Sequence, residues 1–300
     1  MVIRRWDAVI DHLPLGPCIS IIATNNQYTN NQSPICTRQL QNYAILLATM
    51  IAKREALLRV VTYNIHRSRG LDGKTDPERI ADVLKRLRPD VVALQEAVGR
   101  GHRGVGQEEE IAARLNMSSI LAPARTFRGH LYGNAVLSRF PMDNHAVCDL
   151  SQEGREPRLC QRVDINVHGH LIHFYNVHLG TSSAERKKQA VKLADFIGEP
   201  DTGGPKVLLG DFNEWRKGVV TKLLSARFKS LDLVPFLRWR RTYPGIMPVV
   251  HLDHFYYDGP VDLVNIRVSR RFPFLIASDH LPILAEMSLS HDRCEEGRRG

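Results

Sequence analysis

The sequence predicts one α/β domain with mixed β-sheets over residues 58–289. Three observations predict it. Strand, helix and strand patterns follow one another between Arg59 and Glu96, as in a βαβ unit with parallel strands. Two alternating runs, residues 163–167 and 171–177, flank His168-Gly169-His170 and read as a β-hairpin, whose strands are antiparallel. No linker or tandem repeat divides the stretch, and 300 residues with 43% hydrophobic content can supply one large core.

Residues 1–57 have a different character. Asn25, Asn26, Asn30 and Asn31 crowd a polar stretch that Pro14, Pro17 and Pro34 interrupt, and only Leu40, Ala44, Leu47 and Ile51 share a helical face. They read as a poorly structured arm, with Met50 as an alternative start of the chain. The first strand is expected over residues 59–65, β-branched and ending near Asn64. Asp76 then suits an N-cap with Pro77 in the first turn, and Ile80, Val83, Leu84 and Leu87 recur at helical spacing until Pro89. Residues 91–96 form the next buried strand, ending in the carboxylate of Glu96.

A Gly/Arg-rich loop over residues 99–106 leads to a short helix at 108–115, and residues 134–138 make a strand stopped by Phe140-Pro141. A polar loop carrying Glu156 and Arg158 precedes the hairpin, whose second strand runs out at His178. Ser183 is expected to cap a helix carried by Ala190, Leu193, Ala194 and Ile197, closed by Gly203-Gly204-Pro205. The apolar run Val207-Leu208-Leu209 is a buried strand ending at Gly210. Asp211 and Asn213 then lie one residue apart, so an extended backbone would turn both to one side. A helix near 219–224, a basic segment at 238–241 and strands near 252–256, 261–268 and 283–289 complete the domain. The charged tail, residues 290–300, is expected to be disordered.

Composition narrows the classes of function. A net charge of +9 fits an anionic partner, although no Lys/Arg run is dense enough to form a nucleic-acid tail. The five cysteines are scattered, odd in number and without C-x-x-C spacing, which argues against a disulfide framework and a structural zinc. A reducing, cytoplasmic setting and a monomer are the expectations. No apolar stretch approaches the roughly 20 residues of a membrane span, so stable membrane insertion is not expected. There is no G-x-x-x-x-G-K-[ST] and no G-x-S-x-G, which removes P-loop nucleotide hydrolysis and the standard serine hydrolase.

The polar residues beside strand ends are Asn64, Glu96, His178, Asp211, Asn213, Asp253, Asp279 and His280. Burying such groups without partners is costly, so their recurrence beside apolar runs points to a shared site. Carboxylates without cysteine suit Mg²⁺ or Mn²⁺ better than Zn²⁺, and a histidine oriented by a carboxylate suits proton transfer. Metal, amide and imidazole together can manage the charge that develops on a phosphate ester.

Thr62-Tyr63-Asn64-Ile65, Leu94-Gln95-Glu96, Asn176-Val177-His178-Leu179-Gly180, Gly210-Asp211-Phe212-Asn213, Leu252-Asp253-His254-Phe255 and Ser278-Asp279-His280-Leu281-Pro282-Ile283 stand in an order that resembles the motifs of the endonuclease/exonuclease/phosphatase superfamily. The resemblance spans residues 59–287. It implies a four-layer α/β sandwich, two mixed β-sheets packed face to face with helices outside, and an active site at one rim. It would make Glu96 the principal Mg²⁺ ligand, with Asn64 beside it and Asp279 next to the metal. Asp211 would orient or deprotonate the attacking water, and Asn213 would hold a phosphate oxygen. His280 would contact the scissile phosphate, with its tautomer fixed by Asp253. Which of Asp211 and His280 is the base stays open.

Glu156 resembles the acid that pairs with the His178-type imidazole in the deoxyribonuclease I branch, a pair that would protonate the leaving group. Arg158 and Asn134 are candidates for the substrate phosphate, Asn134 also as a brace for its loop. Ala97-Val98 after Glu96 departs from the abasic-site branch. Neither a signal peptide nor cysteine pairing is expected, which departs from secreted deoxyribonuclease I. The resemblance therefore implies a metal-dependent phosphodiesterase, first a nuclease, with nucleic acid as the favoured partner in view of Arg100, Arg103 and the 238–241 segment. The alternatives are a sphingomyelinase-like enzyme for a lipid headgroup or small phosphoester, and an inactive binding scaffold.

Overall fold

The computed structural model describes residues 57–102, 104–199, 203–215, 218–230 and 241–289. Residues 1–56 of the N-terminal arm, the tail from residue 290 and all but Arg241 of the 238–241 segment lie outside the described residues. The expectations made for them lie outside as well.

β1 (Leu58–Asn64), α1 (Pro77–Leu87) and β2 (Val91–Gly101) form the expected parallel crossover. Asp76 caps α1 by accepting from the Arg79 N–H at 3.0 Å. α2 (Gln107–Leu115) precedes β3 (Ser118–Phe127), β4 (His130–Ser138) and β5 (Met142–Asp149). The hairpin is β6 (Leu159–Val167) and β7 (His170–His178), followed by α3 (Ser183–Ile197) and β8 (Lys206–Asp211) in a second parallel crossover. α4 (Val219–Arg227), β9 (Lys229–Ser230), β10 (Asp253–Asp258), β11 (Val261–Val268), α5 (Phe274–Ala277) and β12 (Ile283–Leu289) complete the chain.

Two six-stranded mixed sheets result, ordered β11-β12-β1-β2-β4-β3 and β5-β6-β7-β8-β10-β9. Strand alternation explains the layers. Val60, Ala93, Phe174, Val207, Leu209 and Phe255 turn into one core between the sheets. Their neighbours turn outward: Val61 and Leu94 pack with Ile80, Leu84 and Ile111 of α1 and α2, while Tyr175 and Leu208 pack with Leu193 and Leu224 of α3 and α4. The four-layer α/β sandwich is thus as expected.

Several elements differ from the sequence reading. β3 and β5 were not expected; each shows mostly exposed or half-exposed residues, and β3 contains Pro123, so neither carries a clear two-residue period. β2 continues past Glu96 to Gly101 instead of yielding to a loop at Gly99, because β4 pairs with it through a bulge between Leu94 and Ala97. The N-cap of α3 is Ser182, one residue before the expected Ser183. No helix among the described residues is long and apolar enough to cross a membrane.

Candidate active site

Parallel β1 and β2 end at the same edge as parallel β7 and β8, and antiparallel β10 begins there, with Asp253 in register with Asp211. This topology gathers residues that are far apart in sequence. Asn64 at the end of β1 donates through Nδ2 to Asp211 at 3.0 Å and to Glu96 at 3.3 Å, while its Oδ1 accepts from the His66 N–H at 3.0 Å. Both polar atoms of the Asn64 amide are therefore engaged. The geometry makes it a bridge between two carboxylates.

Glu96 sits on the β2 bulge with φ 59, a left-handed conformation that a non-glycine residue adopts at a cost of roughly 1–2 kcal/mol. The bulge breaks alternation, so Gln95 and Glu96 both reach polar partners. Gln95 is fully buried and donates to Asn176 Oδ1 at 2.8 Å, and Asn176 donates to the carbonyls of Leu94 at 2.9 Å and Ala135 at 3.0 Å. Asn134 donates to the Asn176 carbonyl at 3.0 Å. These amides tie one sheet to the other directly beneath the rim, and they place Asn134 as a brace between sheets. Sequence reasoning missed Gln95 and Asn176; their position inside otherwise apolar strands was the available signal.

His280, before β12, places Nδ1 3.0 Å from Asp253 and Nε2 3.7 Å from Asp211. Burial opposes charge on this imidazole, but the two carboxylates outweigh it and push its pKa up to about 10. Burial lifts the Asp211 carboxyl to about 6 against the attraction of His280, while Asp253, despite its own burial, is held below the usual range by His280. Asp211, Asp253 and His280 bring donor atoms within 4.8 Å of one another, close enough to hold a metal ion.

His178, at the end of β7, lies with Nε2 3.5 Å from Asp211. Burial, then the charges of Arg158 and His280, hold it well below the ordinary imidazole value, so it is neutral. Its Nδ1 faces Arg158 Nη1 at 3.1 Å. Glu156 is bonded to Arg158 at 2.9 Å and to Arg125 of β3 at 2.9 Å. The expected Glu156–His178 pair is therefore absent: Arg158 occupies the place, being buried where Glu156 is exposed. Glu96, Tyr132, Asn134, Arg158 and His178 line one narrow recess.

The spacing of Asp211 and Asn213 also has another cause than strand alternation. β8 stops at Asp211, and Asn213 is left-handed with φ 50. Its N–H donates to Asp211 Oδ1 at 2.9 Å, an Asx turn, and its Nδ2 donates to the Leu179 carbonyl at 2.9 Å. Gly210 makes the approach of β7 and β8 possible: a Cβ there would lie 1.9 Å from the Val177 carbonyl oxygen. Asp279 lies 3.5 Å from His66 Nδ1, and Ser278 Oγ donates to the Asn64 carbonyl at 2.8 Å.

His66, Arg67 and Ser68 form a left-handed turn, with φ of 46, 60 and 55. Gln107 of α2 holds it, accepting from Ser68 Oγ at 3.2 Å and donating to the Arg67 carbonyl at 2.9 Å. The turn was not recognised in the sequence, because none of its residues is a turn former of the Gly/Asn kind.

The sequence profile of the endonuclease/exonuclease/phosphatase family matches residues 61–280. The uncharacterized protein YbhP of Escherichia coli (strain K12) is 30% identical over 247 residues, which cover 77% of this chain and 96% of YbhP. Among solved structures, an endonuclease/exonuclease/phosphatase from Beutenbergia cavernae is similar with a TM-score of 0.62 at 24% identity, over 78% of this chain and 72% of that one. A mannosyl-6-phosphatase from Bacteroides thetaiotaomicron is similar with a TM-score of 0.61 at 18% identity, over 77% of this chain and all of the other, 100%.

Proposed function

The chain belongs to the endonuclease/exonuclease/phosphatase family, and from that premise we propose that it is a divalent-metal-dependent phosphodiesterase, with nucleic acid as its favoured substrate. The observation that carries the reading is His280 held between Asp253 and Asp211 at the rim where Glu96 and His178 converge. An imidazole flanked by two carboxylates is a cation, suited to stabilising the charge on a phosphate in the transition state and unable to accept a proton. That leaves Asp211 to take the proton from the attacking water. Asn64 and the Asx turn at Asn213 hold its two oxygens in place. His178, neutral and oriented by Arg158, faces the same carboxylate.

The donors fit a hard cation. Glu96 and Asp279 are half-exposed carboxylates, and oxygen donors of this kind leave positions for water and a phosphate oxygen, as Mg²⁺ or Mn²⁺ prefers. The Asp211–Asp253–His280 group is the poorer cradle, since its imidazole is already paired with both carboxylates. When bound, the ion would supply charge neutralisation at the phosphate. The net charge of +9 favours an extended anionic substrate over a neutral one.

A substrate panel tests the reading: full-length protein with Mg²⁺, Mn²⁺ or EDTA against plasmid DNA, RNA, sphingomyelin and bis(p-nitrophenyl) phosphate. Metal-dependent cleavage of nucleic acid, lost in Asp211→Asn, is the expected result. Turnover of sphingomyelin alone would replace nucleic acid with a lipid headgroup, and cleavage that persists in EDTA would remove the metal.

A further inference from the structure

Beside the candidate active site lies a cleft of about 710 Å³ lined by Arg67, Arg69, Gln107, Phe127, Arg128 and His130, among others. Arg67, Arg125 and Arg128 each place a guanidinium near the Phe127 ring, at 5.6, 5.4 and 5.3 Å from its centre. Cation–π attraction draws each one there, but gathering like charges around one ring is unfavourable without a counter-charge. Arg125 has one in Glu156. Among the described residues no carboxylate pairs with Arg67, Arg69 or Arg128.

The cleft is joined to the rim along the chain. Arg67 follows His66, whose N–H is held by Asn64 and whose ring lies 3.5 Å from Asp279. Val98, which lines the cleft, stands two residues beyond Glu96 on β2, and its N–H donates to the same Gln107 that fixes the turn. The left-handed backbone of residues 66–68, together with Arg128 at φ 51, is what aims Arg67 and Arg128 at one ring. Backbone strain maintained by a half-buried glutamine bridge marks a position that the fold holds against local preference.

We propose that this cleft is a subsite for a second, non-reacting phosphate of the substrate, bound by Arg67 and Arg128 with Arg69 and His130 at its edge. Planar guanidinium forks suit phosphate oxygens, and an anion there completes the charge balance around Phe127. The proposal rests on the phosphodiesterase reading above and narrows it to substrates with at least two phosphate groups. Two sources share that chemistry, a neighbouring phosphate along a nucleic-acid strand and a second phosphate on a small ester.

The test separates binding from turnover. In EDTA, the affinity of the full chain for a labelled 5′-phosphorylated single-stranded oligonucleotide is measured for wild type, Arg67→Ala, Arg128→Ala and Arg128→Lys. Each alanine variant is expected to weaken binding about tenfold and to lower the salt slope by about 1, with the lysine variant recovering part of the loss. With Mg²⁺, the ratio of kcat/KM on the oligonucleotide to that on bis(p-nitrophenyl) phosphate should fall about tenfold. A small bisphosphorylated ester identifies the source: losses confined to the oligonucleotide assign a strand, and losses on the small ester alone assign a small molecule. Unchanged behaviour of both alanine variants on the oligonucleotide and on the bisphosphorylated ester alike would overturn the subsite, as would equal losses on the single-phosphate ester. If no ester is turned over by wild type while the binding defects persist, the phosphodiesterase reading fails and the anion subsite stands.

Discussion

Arg158 Nη1 lies 3.1 Å from Nδ1 of His178. A guanidinium can only donate, so Nδ1 accepts and the single ring proton of the neutral imidazole sits on Nε2, facing Asp211. Arg158 thereby sets the tautomer and, with burial, keeps the ring uncharged. Among the described residues Glu156 is hydrogen-bonded to Arg125 and Arg158, which places it one step removed from the imidazole.

This relationship predicts unequal effects within the series. Glu156→Gln keeps a hydrogen-bond acceptor for Arg158 and should lower kcat/KM less than about tenfold, whereas His178→Ala should lower it by about a hundredfold or more. Steady-state kinetics on one phosphodiester decides it. Equal losses in the two variants would restore Glu156 as a direct partner in proton transfer.

Asp211 and His280 are expected to act as one unit. Asp211→Asn and His280→Ala should each reduce kcat/KM by roughly three orders of magnitude, and the double variant should lose little more. Additive losses would mean that the two side chains serve separate steps.

Glu96→Gln should raise the Mg²⁺ concentration for half-maximal activity at least about tenfold, while Asp253→Asn should lower the maximal rate with a smaller change in that concentration. A metal titration of both variants reads the difference. The reverse pattern would move the ion to the Asp211–Asp253–His280 group.

Asn176 is fully buried and bonds three groups from the facing sheet, Gln95 and the carbonyls of Leu94 and Ala135. Asn176→Ala leaves all three without it and should cost about 2–4 kcal/mol in urea unfolding. A loss below about 1 kcal/mol would show that water replaces the amide.

His173 of β7, away from the rim, faces Asp164 from Nδ1 at 2.6 Å and the Gly203 carbonyl from Nε2 at 2.8 Å. With an acceptor at each nitrogen only the imidazolium satisfies both, and the hydrogen bond to Asp164 raises its pKa against burial. A raised folded value stabilises the native state fully below the unfolded pKa of about 6.5, and the contribution fades as pH rises through the folded value. The stability gap between wild type and His173→Gln should therefore be larger at mildly acidic than at alkaline pH, as measured by urea midpoints. A gap that widens with pH would mean that the neutral ring is the favoured form.

The sequence by itself determined the order of the central elements and pointed to most of the polar residues that meet at the candidate site. β1, β2, β7 and β8 are buried on both faces, so their apolar runs are continuous, and polar residues at their ends stand out against them. The edge strands β3 and β5 were invisible for the opposite reason: little of either is buried, so no alternation is imposed on it. Which side chains touch was decided only by tertiary structure. Asp211 and Asn64 are 147 residues apart and meet because two parallel crossovers end at one edge. Glu96 reaches the site through a bulge imposed by β4, Arg158 displaces Glu156 from His178 by being buried, and three successive left-handed residues aim Arg67 at Phe127. Burial patterns are periodic and leave a trace in sequence, whereas bulges, left-handed turns and partner choice depend on what a neighbouring strand or helix brings to the same place.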